Sequence, residues 1–125
     1  MDEGDGGLTA RVIGAGIAVH RELGPGLLES VYEECLCYEL QRAGIAFARQ
    51  VPVAVRYRDI QLESGFRLDV LVETRLVVEI KAADRNLPLH AAQILTYMRL
   101  GGFRIGLLMN FNSVKLADGV RRFAL

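Results

Sequence analysis

The sequence predicts an α/β (α+β) fold, a mixed β-sheet flanked by helices in the order α-α-β-β-β-α-β. Three observations carry this prediction. Apolar residues recur at helical spacing through residues 8–43, strand-like alternation begins at residue 45, and a third helical stretch precedes a strongly apolar strand. The length of 125 residues suits one domain, which we place at residues 8–125 after a flexible start at residues 1–7.

The two N-terminal helices are predicted from periodicity and stop signals. The first runs from Leu8 to Leu23 and ends at Gly24-Pro25-Gly26. The second begins near Leu27 and ends before Gly44, a common residue after a helix C-terminus. One stripe of the second helix is apolar and consists of Leu28, Val31, Cys35 and Tyr38.

The rest of the chain alternates between strands and turns, with one helix. Residues 59–65 contain a predicted turn, Glu73-Thr74-Arg75 joins two short strands, and Gly101-Gly102 ends the third helix. The predicted strands are 45–58, 66–72, 76–81 and 105–110, the helix is 88–100, and residues 114–125 hold a candidate edge strand. The run 105–110 is apolar throughout, which indicates burial on both faces.

Gly14-Ala15-Gly16 in the first helix looks like the start of a dinucleotide-binding glycine loop. That loop follows a strand, opens a βαβ unit and needs a third small residue where this chain has Val19. The surrounding pattern meets none of these conditions. We therefore predict that the small residues let the helix pack closely.

Composition narrows the function classes. Fifteen Lys and Arg balance fifteen Asp and Glu, which argues against a strongly basic, dedicated nucleic-acid binder. No apolar run reaches the ~20 residues of a membrane span, and the start is acidic rather than a basic leader, so we expect a cytoplasmic protein without membrane contact. Cys35 and Cys37 flank one leucine, a spacing that suits neither zinc nor a redox pair, and we expect reduced, partly buried thiols.

One constellation of residues indicates chemistry. Asp69 lies in an otherwise apolar strand, where an ionised carboxylate is costly unless it is paired or binds a cation. Glu79 and Lys81 end the next strand and share one face, while Ile80 points to the opposite layer. If Asp69 pairs with Glu79 in a hairpin, residues 73–75 form a three-residue loop and the three charged groups converge. A one-residue slip would move Asp69 to the wrong face.

Two carboxylates and a lysine suit metal-assisted hydrolysis of a phosphodiester. Carboxylates hold a hard cation such as Mg²⁺, which lowers the pKa of a bound water and neutralises charge at phosphorus. Lys81 can orient that water or stabilise the transition state. The competing interpretation is that Glu79 and Lys81 form an ordinary surface ion pair, because the tripeptide is common.

The ordered pattern resembles the PD-(D/E)XK phosphodiesterase superfamily, and within it the small bacterial proteins named for their GxxExxY signature. The resemblance implies a restriction-endonuclease-like core. The residues that carry it are Leu23-Gly24-Pro25-Gly26-Leu27-Leu28-Glu29-Ser30-Val31-Tyr32, Asp69, Glu79-Ile80-Lys81, His90, Gln93, Tyr97 and Asn110-Phe111. One departure is Leu68, which stands where the superfamily often has Pro before its first acid.

The resemblance implies roles for individual residues. Asp69, Glu79, Glu29 and the backbone carbonyl of Ile80 would hold Mg²⁺ or Mn²⁺, and Lys81 would be catalytic. Gln93 would contact the metal-bound water or a phosphate, with Tyr97 and His90 in support. Ordinary explanations compete: Glu29 as a helix-start acid, Tyr97 as helix packing and His90 as a helix cap.

Three functions follow as alternatives. The leading one is a metal-dependent nuclease whose partner is DNA or RNA. The second is a structure-selective endonuclease that acts as a symmetric dimer, similar to archaeal Holliday-junction resolvases, although those are strongly basic. The third is a non-catalytic module that keeps the fold and binds a partner protein or a second copy, which the neutral charge and the 51% of hydrophobic residues favour.

Overall fold

A computed structural model describes the backbone of residues 3–125 and the side chains of residues 6–125. The first helix begins at Glu3, earlier than the predicted start at Leu8. The predicted flexible start at residues 1–7 stays a prediction, and Met1 and Asp2 lie outside the described residues. None of the described helices is both long and apolar enough to cross a membrane.

The described elements follow the predicted order, with one strand added at the C-terminus. The helices are α1 (Glu3–Leu23), α2 (Glu29–Arg42) and α3 (Pro88–Gly101), with a short 3₁₀ turn at Leu116–Gly119. The strands are β1 (Phe47–Tyr57), β2 (Ile60–Val72), β3 (Leu76–Lys81), β4 (Ile105–Asn110) and β5 (Val120–Ala124). Gly44 and Gly102, which follow α2 and α3, have φ of 73° and 77°, so both helices end at the predicted glycines.

The five strands form one mixed sheet in the order β1-β2-β3-β4-β5. Strands β3 and β4 are parallel and are joined through α3, whereas the other neighbouring pairs are antiparallel. Residues 106–110 of β4 are all buried, as predicted from the apolar run. Strand β5 confirms the candidate edge strand in the C-terminal tail.

Two cores lie on opposite faces of the sheet. Helices α1 and α2 cover one face through Val12, Leu36 and Leu40, and α3 covers the other through Ile94 and Met98. Gly16 of α1 packs against β4, because a Cβ atom there would lie 2.3 Å from the Met109 methyl group. This contact confirms close helix packing for Gly16, whereas Gly14 is exposed and an added Cβ there would meet no atom within 4 Å. The segment is helical and forms no nucleotide loop.

Two local predictions are wrong. The stripe of α2 that contains Leu28, Val31 and Tyr38 faces largely outward, and Leu28 is 73% exposed. The buried face consists of Tyr32, Glu33, Leu36, Cys37 and Leu40, because the sheet and α1 take the neighbouring, equally apolar side of the helix. The second strand was predicted to begin at residue 66, after a turn within residues 59–65, but it begins at Ile60 and the turn lies at residues 58–59, since the following residues pair with β1 in a long hairpin.

The cysteines behave as expected for isolated thiols. Cys35 is half-buried, Cys37 is buried, and both are free. Burial raises the pKa of the Cys37 thiol to about 11, which keeps it protonated and unreactive at neutral pH.

Candidate active site

The β2–β3 hairpin has the register on which the predicted constellation depends. Val70 pairs with Val78 and Val72 with Leu76, so residues 73–75 form the connecting loop. The same register places Asp69 opposite Glu79, and Ile80 points into the core beneath α1 and α2. The predicted three-residue loop and the predicted face of Glu79 are therefore confirmed.

Side-chain bonds replace the backbone ladder where Asp69 meets Glu79. The backbone N–H of Ile80 donates to Oδ2 of Asp69 at 2.8 Å. The backbone N–H of Asp69 donates in turn to Oε2 of Glu79 at 3.1 Å. Each carboxylate is thus held by the strand opposite to its own, which fixes the two acids side by side.

At Asp69, the side chains of β2 cease to alternate regularly between the two faces of the sheet. Leu68 belongs to the core on the α3 face, whereas Val70 belongs to the core on the α1–α2 face. On the neighbouring strand, Gln50 lies between the residues paired with Leu68 and Val70 and has a φ of 51°. A non-glycine residue at positive φ is uncommon. This local twist in both strands turns the Asp69 carboxylate out of the core and towards Glu79.

The positive charge near the two carboxylates does not offset the cost of burying them side by side. Burial and the charge of Asp69 raise the pKa of Glu79 to about 8, and Glu79 is only 4% exposed. Burial also raises the pKa of Asp69, against the effect of the Ile80 N–H bond. The Lys81 ammonium lowers both pKa values but does not cancel the increase. A cation between the two acids would relieve both costs.

Helix α3 supplies the groups that border Lys81. The Lys81 ammonium donates to Oε1 of Gln93 at 3.2 Å. One helical turn later, the Tyr97 ring stacks on Phe66 of β2 with a centroid distance of 4.3 Å. Burial and the charges of Glu79 and Asp69 raise the pKa of Tyr97, so its hydroxyl also lies within their field. Gln93, Tyr97 and the two acids therefore share one side of the sheet.

Hydrogen bonds from the buried side chain of Asn110 hold the segment after Lys81. This residue is 2% exposed, and its side chain accepts from the Ala83 N–H at 3.1 Å and donates to the Ala83 carbonyl at 2.9 Å. Between Lys81 and Ala83, the Ala82 N–H donates to Oε2 of Glu29 at 3.4 Å. The N-terminus of α2 is thereby joined to the end of the strand that carries Glu79 and Lys81.

A comparison with protein families decides the assignment. The model of the PD-(D/E)XK nuclease superfamily matches residues 7–123, nearly the whole chain. The chain belongs to the PD-(D/E)XK nuclease superfamily. Searches of curated proteins and of solved structures find no match to it. The α+β architecture with its five-stranded mixed sheet is compatible with the restriction-endonuclease-like fold of this superfamily.

Membership of the PD-(D/E)XK superfamily relates the two acids to metal binding. Its nucleases generally use divalent metal ions. Asp69, which is half-buried, and Glu79, which is buried, supply carboxylate oxygens of the kind that Mg²⁺ and Mn²⁺ prefer as ligands, so this donor set fits a hard cation. Within residues 6–125, no three His, Cys, Asp or Glu side chains come close enough to form a larger metal-holding group. Glu29 is connected to the site through Ala82 instead.

Helix α2 carries a further buried acid that the sequence pattern did not indicate. Glu33 of α2 is 7% exposed and accepts bonds from Arg49 Nε at 3.1 Å and Gln50 Nε2 at 3.0 Å. Its charge raises the pKa of both Asp69 and Glu79. Glu33 follows Glu29 by four residues, so the two share a helix face. That spacing could have identified it, but the buried face of α2 was assigned to the wrong side.

The supporting residues divide by their contacts. The His90 ring accepts the Leu87 N–H through Nδ1 at 3.3 Å, the contact of a helix-start cap. Tyr97 stacks within the protein, on Phe66. The metal role predicted for the Ile80 carbonyl, like the roles of Glu29 and Gln93, stays a prediction.

Proposed function

We propose that this protein is a Mg²⁺- or Mn²⁺-dependent phosphodiesterase that cleaves nucleic acid, and that it belongs to the GxxExxY branch of its superfamily. The observation that supports this most directly is the reciprocal bonding of the acids. Ile80 N–H holds the Asp69 carboxylate, and Asp69 N–H holds the Glu79 carboxylate. Acids that served only as surface ion partners would not be fixed by the opposite strand, and Glu79 would not be only 4% exposed.

Asp69 and Glu79 would hold the cation, each with the oxygen that accepts no bond from the described residues. The bound metal would activate a water and neutralise charge at the phosphate. Both acids are preorganised before any ligand arrives, because backbone N–H groups fix one oxygen of each. Such preorganisation is the main contribution that a rigid site makes to electrostatic catalysis.

Lys81 and Gln93 would act next to the carboxylates. The Gln93 amide oxygen accepts from the Lys81 ammonium at 3.2 Å and limits the positions that this flexible side chain visits. A fixed ammonium can orient the attacking water or stabilise negative charge that develops on the phosphate oxygens. Glu29 and Glu33 lie on the helix side, where their charges strengthen the attraction for a cation.

The test measures metal binding and cleavage in the same preparations. We expect Mn²⁺ titration calorimetry to show binding for the wild-type protein and loss of at least tenfold in affinity for Asp69→Asn, which keeps an acceptor for the Ile80 N–H. Asp118→Asn, at an exposed acid in the 3₁₀ turn, is the matched control and should bind as the wild type does. Mixed single- and double-stranded DNA and RNA substrates then report cleavage.

Each outcome has a definite consequence. Binding and cleavage that disappear together in Asp69→Asn support the proposal and leave only specificity to be measured. Equal Mn²⁺ affinity in the wild type and Asp69→Asn would contradict the assigned metal site. Binding without cleavage of any substrate would favour a nuclease fold that has become an interaction module.

A further inference from the structure

Strand β1 changes the face of its side chains at Gln50, as β2 does at Asp69. Phe47 packs against the core beneath α1 and α2, whereas Val51 packs against the core beneath α3, on the other face of the sheet. A regular strand would place these two residues, which are four apart, on one face. The register pairs the neighbours of Gln50 with the neighbours of Asp69. The two switches therefore lie opposite each other.

Gln50 has a backbone conformation that is unfavourable for its residue type. Its φ of 51° lies in the left-handed region, where the Cβ atom of an L-residue is crowded. The other described non-glycine residues with positive φ lie in turns and are Arg58, Glu73 and Thr74, whereas Gln50 lies within a strand. Such a conformation persists only where the surrounding structure holds it.

Glu33 of α2 supplies contacts that hold Gln50. The Gln50 amide donates through Nε2 to both Glu33 carboxylate oxygens, at 3.0 and 3.2 Å. The preceding residue, Arg49, donates through Nε to the same carboxylate at 3.1 Å. Successive residues of a regular strand point to opposite faces, so both can reach one carboxylate only where the strand departs from that geometry. These bonds therefore favour the twisted form of β1.

We propose that Glu33 is a positioning residue for Asp69. Glu33 holds Gln50 in the left-handed conformation, and this conformation turns the residue opposite, Asp69, towards Glu79. In that orientation Oδ2 of Asp69 accepts the Ile80 N–H at 2.8 Å. The inference rests on the proposed function in one respect, since Asp69 is a metal ligand only there.

The geometry separates this role from that of a direct ligand. Both oxygens of Glu33 accept bonds from side chains of β1, so the carboxylate faces the edge strand. A charge at Glu33 that attracted the cation would act whatever residue stood at position 50. A positioning effect passes through Gln50 and disappears when position 50 no longer needs to be held.

Amide hydrogen exchange of the metal-free full chain, followed by NMR, tests the position of Asp69. The Ile80 amide is the reporter, because it donates to the Asp69 carboxylate. We expect Glu33→Ala to accelerate exchange about tenfold more at Ile80 than at the amides of β4, since global unfolding would accelerate both alike. Glu34→Ala removes the neighbouring acid of α2, whose side chain is 76% exposed, and should leave Ile80 as in the wild type.

A variant cycle at position 50 tests the route through Gln50. Glycine adopts positive φ without a Cβ penalty, so Gln50→Gly removes the need for Glu33. Glu33→Ala should lower Mn²⁺ affinity by about tenfold in the wild-type background but by less than about threefold in the Gln50→Gly background. Gln50→Val, with a branched Cβ that opposes positive φ, should lower the affinity although Glu33 is present.

The outcomes separate this proposal from the nuclease proposal. Equal acceleration at Ile80 and β4 in Glu33→Ala would overturn the positioning role, as would equal losses of Mn²⁺ affinity in the two backgrounds. A wild-type protein that binds no Mn²⁺ would contradict the proposed function, and the metal-free exchange of Ile80 would still decide the role of Glu33. Unchanged Ile80 exchange in Glu33→Ala would overturn that role whether or not the protein binds metal.

Discussion

Replacing Glu79 by Gln should stabilise the metal-free protein at pH 8, whereas at pH 5 the variant should be no more stable than the wild type. In the folded protein, burial and the Asp69 charge raise the pKa of Glu79 to about 8 from an ordinary value of 4.5. Between these two values the folded state keeps a proton that the unfolded chain has lost. The free energy of unfolding of the wild type therefore falls as pH rises through this range, and it is constant above it.

The structure sets the size of the effect. One unit of pKa corresponds to ~1.4 kcal/mol, so the increase from 4.5 to about 8 gives a ceiling of about 5 kcal/mol at pH 8. Gln keeps an oxygen that can accept the Asp69 N–H bond of 3.1 Å, but its amide N–H groups enter a site where Glu79 is only 4% exposed. Leaving these donors without full partners costs about 1–3 kcal/mol. We expect a net gain of about 2–4 kcal/mol at pH 8 and no gain at pH 5, because the cost of the unpaired donors does not depend on pH.

Urea unfolding followed by circular dichroism at pH 5, 6.5 and 8, with chelator present, measures this gain. Glu63→Gln replaces an exposed acid of β2 and should show no growing difference from the wild type. The quantity that decides is the difference in unfolding free energy between Glu79→Gln and the wild type. If this difference is the same at pH 8 as at pH 5, the electrostatic account of the site is wrong.

Adding Mn²⁺ should reverse the order of stability. A ligand that binds only the folded state at 100 times its dissociation constant stabilises by ~2.7 kcal/mol, and the variant that lacks one carboxylate gains less. Metal binding to wild type at pH 7 should also release protons, because Glu79 must be ionised to act as a ligand. Calorimetry in two buffers of different ionisation enthalpy detects that release.

Three further predictions concern packing and positioning. Gly16→Ala should destabilise the protein by about 1 kcal/mol, because the added Cβ would lie 2.3 Å from a methionine methyl group. Gly14→Ala, where an added Cβ has nothing within 4 Å, should stabilise it by about 0.5 kcal/mol. Thermal unfolding compares the two variants. Asn110→Asp removes a buried donor and adds a charge at 2% exposure, so urea unfolding at pH 7 should show a loss of about 2–4 kcal/mol that shrinks at acidic pH. Gln93→Ala frees the Lys81 ammonium and should lower the cleavage rate about tenfold at saturating substrate while calorimetry shows unchanged Mn²⁺ affinity.

The Asn110 contacts show how a buried amide can organise a site from outside it. Its side chain satisfies both backbone polar groups of Ala83, and the next residue, Phe111, donates its N–H to the Lys81 carbonyl at 2.9 Å. These bonds tie the end of β3 to the end of its parallel neighbour, β4. If these bonds shifted, Lys81 would move, and so would the Ala82 N–H that donates to Glu29.

The sequence by itself determined the features that depend on local pattern. The order of elements, the glycines after α2 and α3 and the three-residue loop at residues 73–75 follow from periodicity, backbone conformation and strand alternation. The pairing of Asp69 with Glu79 was predicted only for a hairpin with that loop, because a one-residue slip would move Asp69 to the other face, and the structure has the required register.

Only the tertiary structure decided which side of α2 is buried. Leu28, Val31 and Tyr38 form an apolar stripe as regular as the one that contains Tyr32, Leu36 and Leu40, and periodicity cannot rank two apolar faces of one helix. The choice depends on where the sheet and α1 lie. Burial of Glu33 follows from that choice, since Arg49 and Gln50 from the edge strand satisfy its carboxylate.

The length of the β1–β2 hairpin was also decided by tertiary structure. Residues 59–65 contain glycine, serine and two acids, which locally favour a turn, yet pairing with β1 holds most of them extended. Cross-strand pairs such as Tyr57 with Ile60 stabilise the strand conformation only when the partner strand is present. Local propensity does not include pairing with a strand elsewhere in the sequence, and that is the physical reason why the length of this hairpin was not predicted.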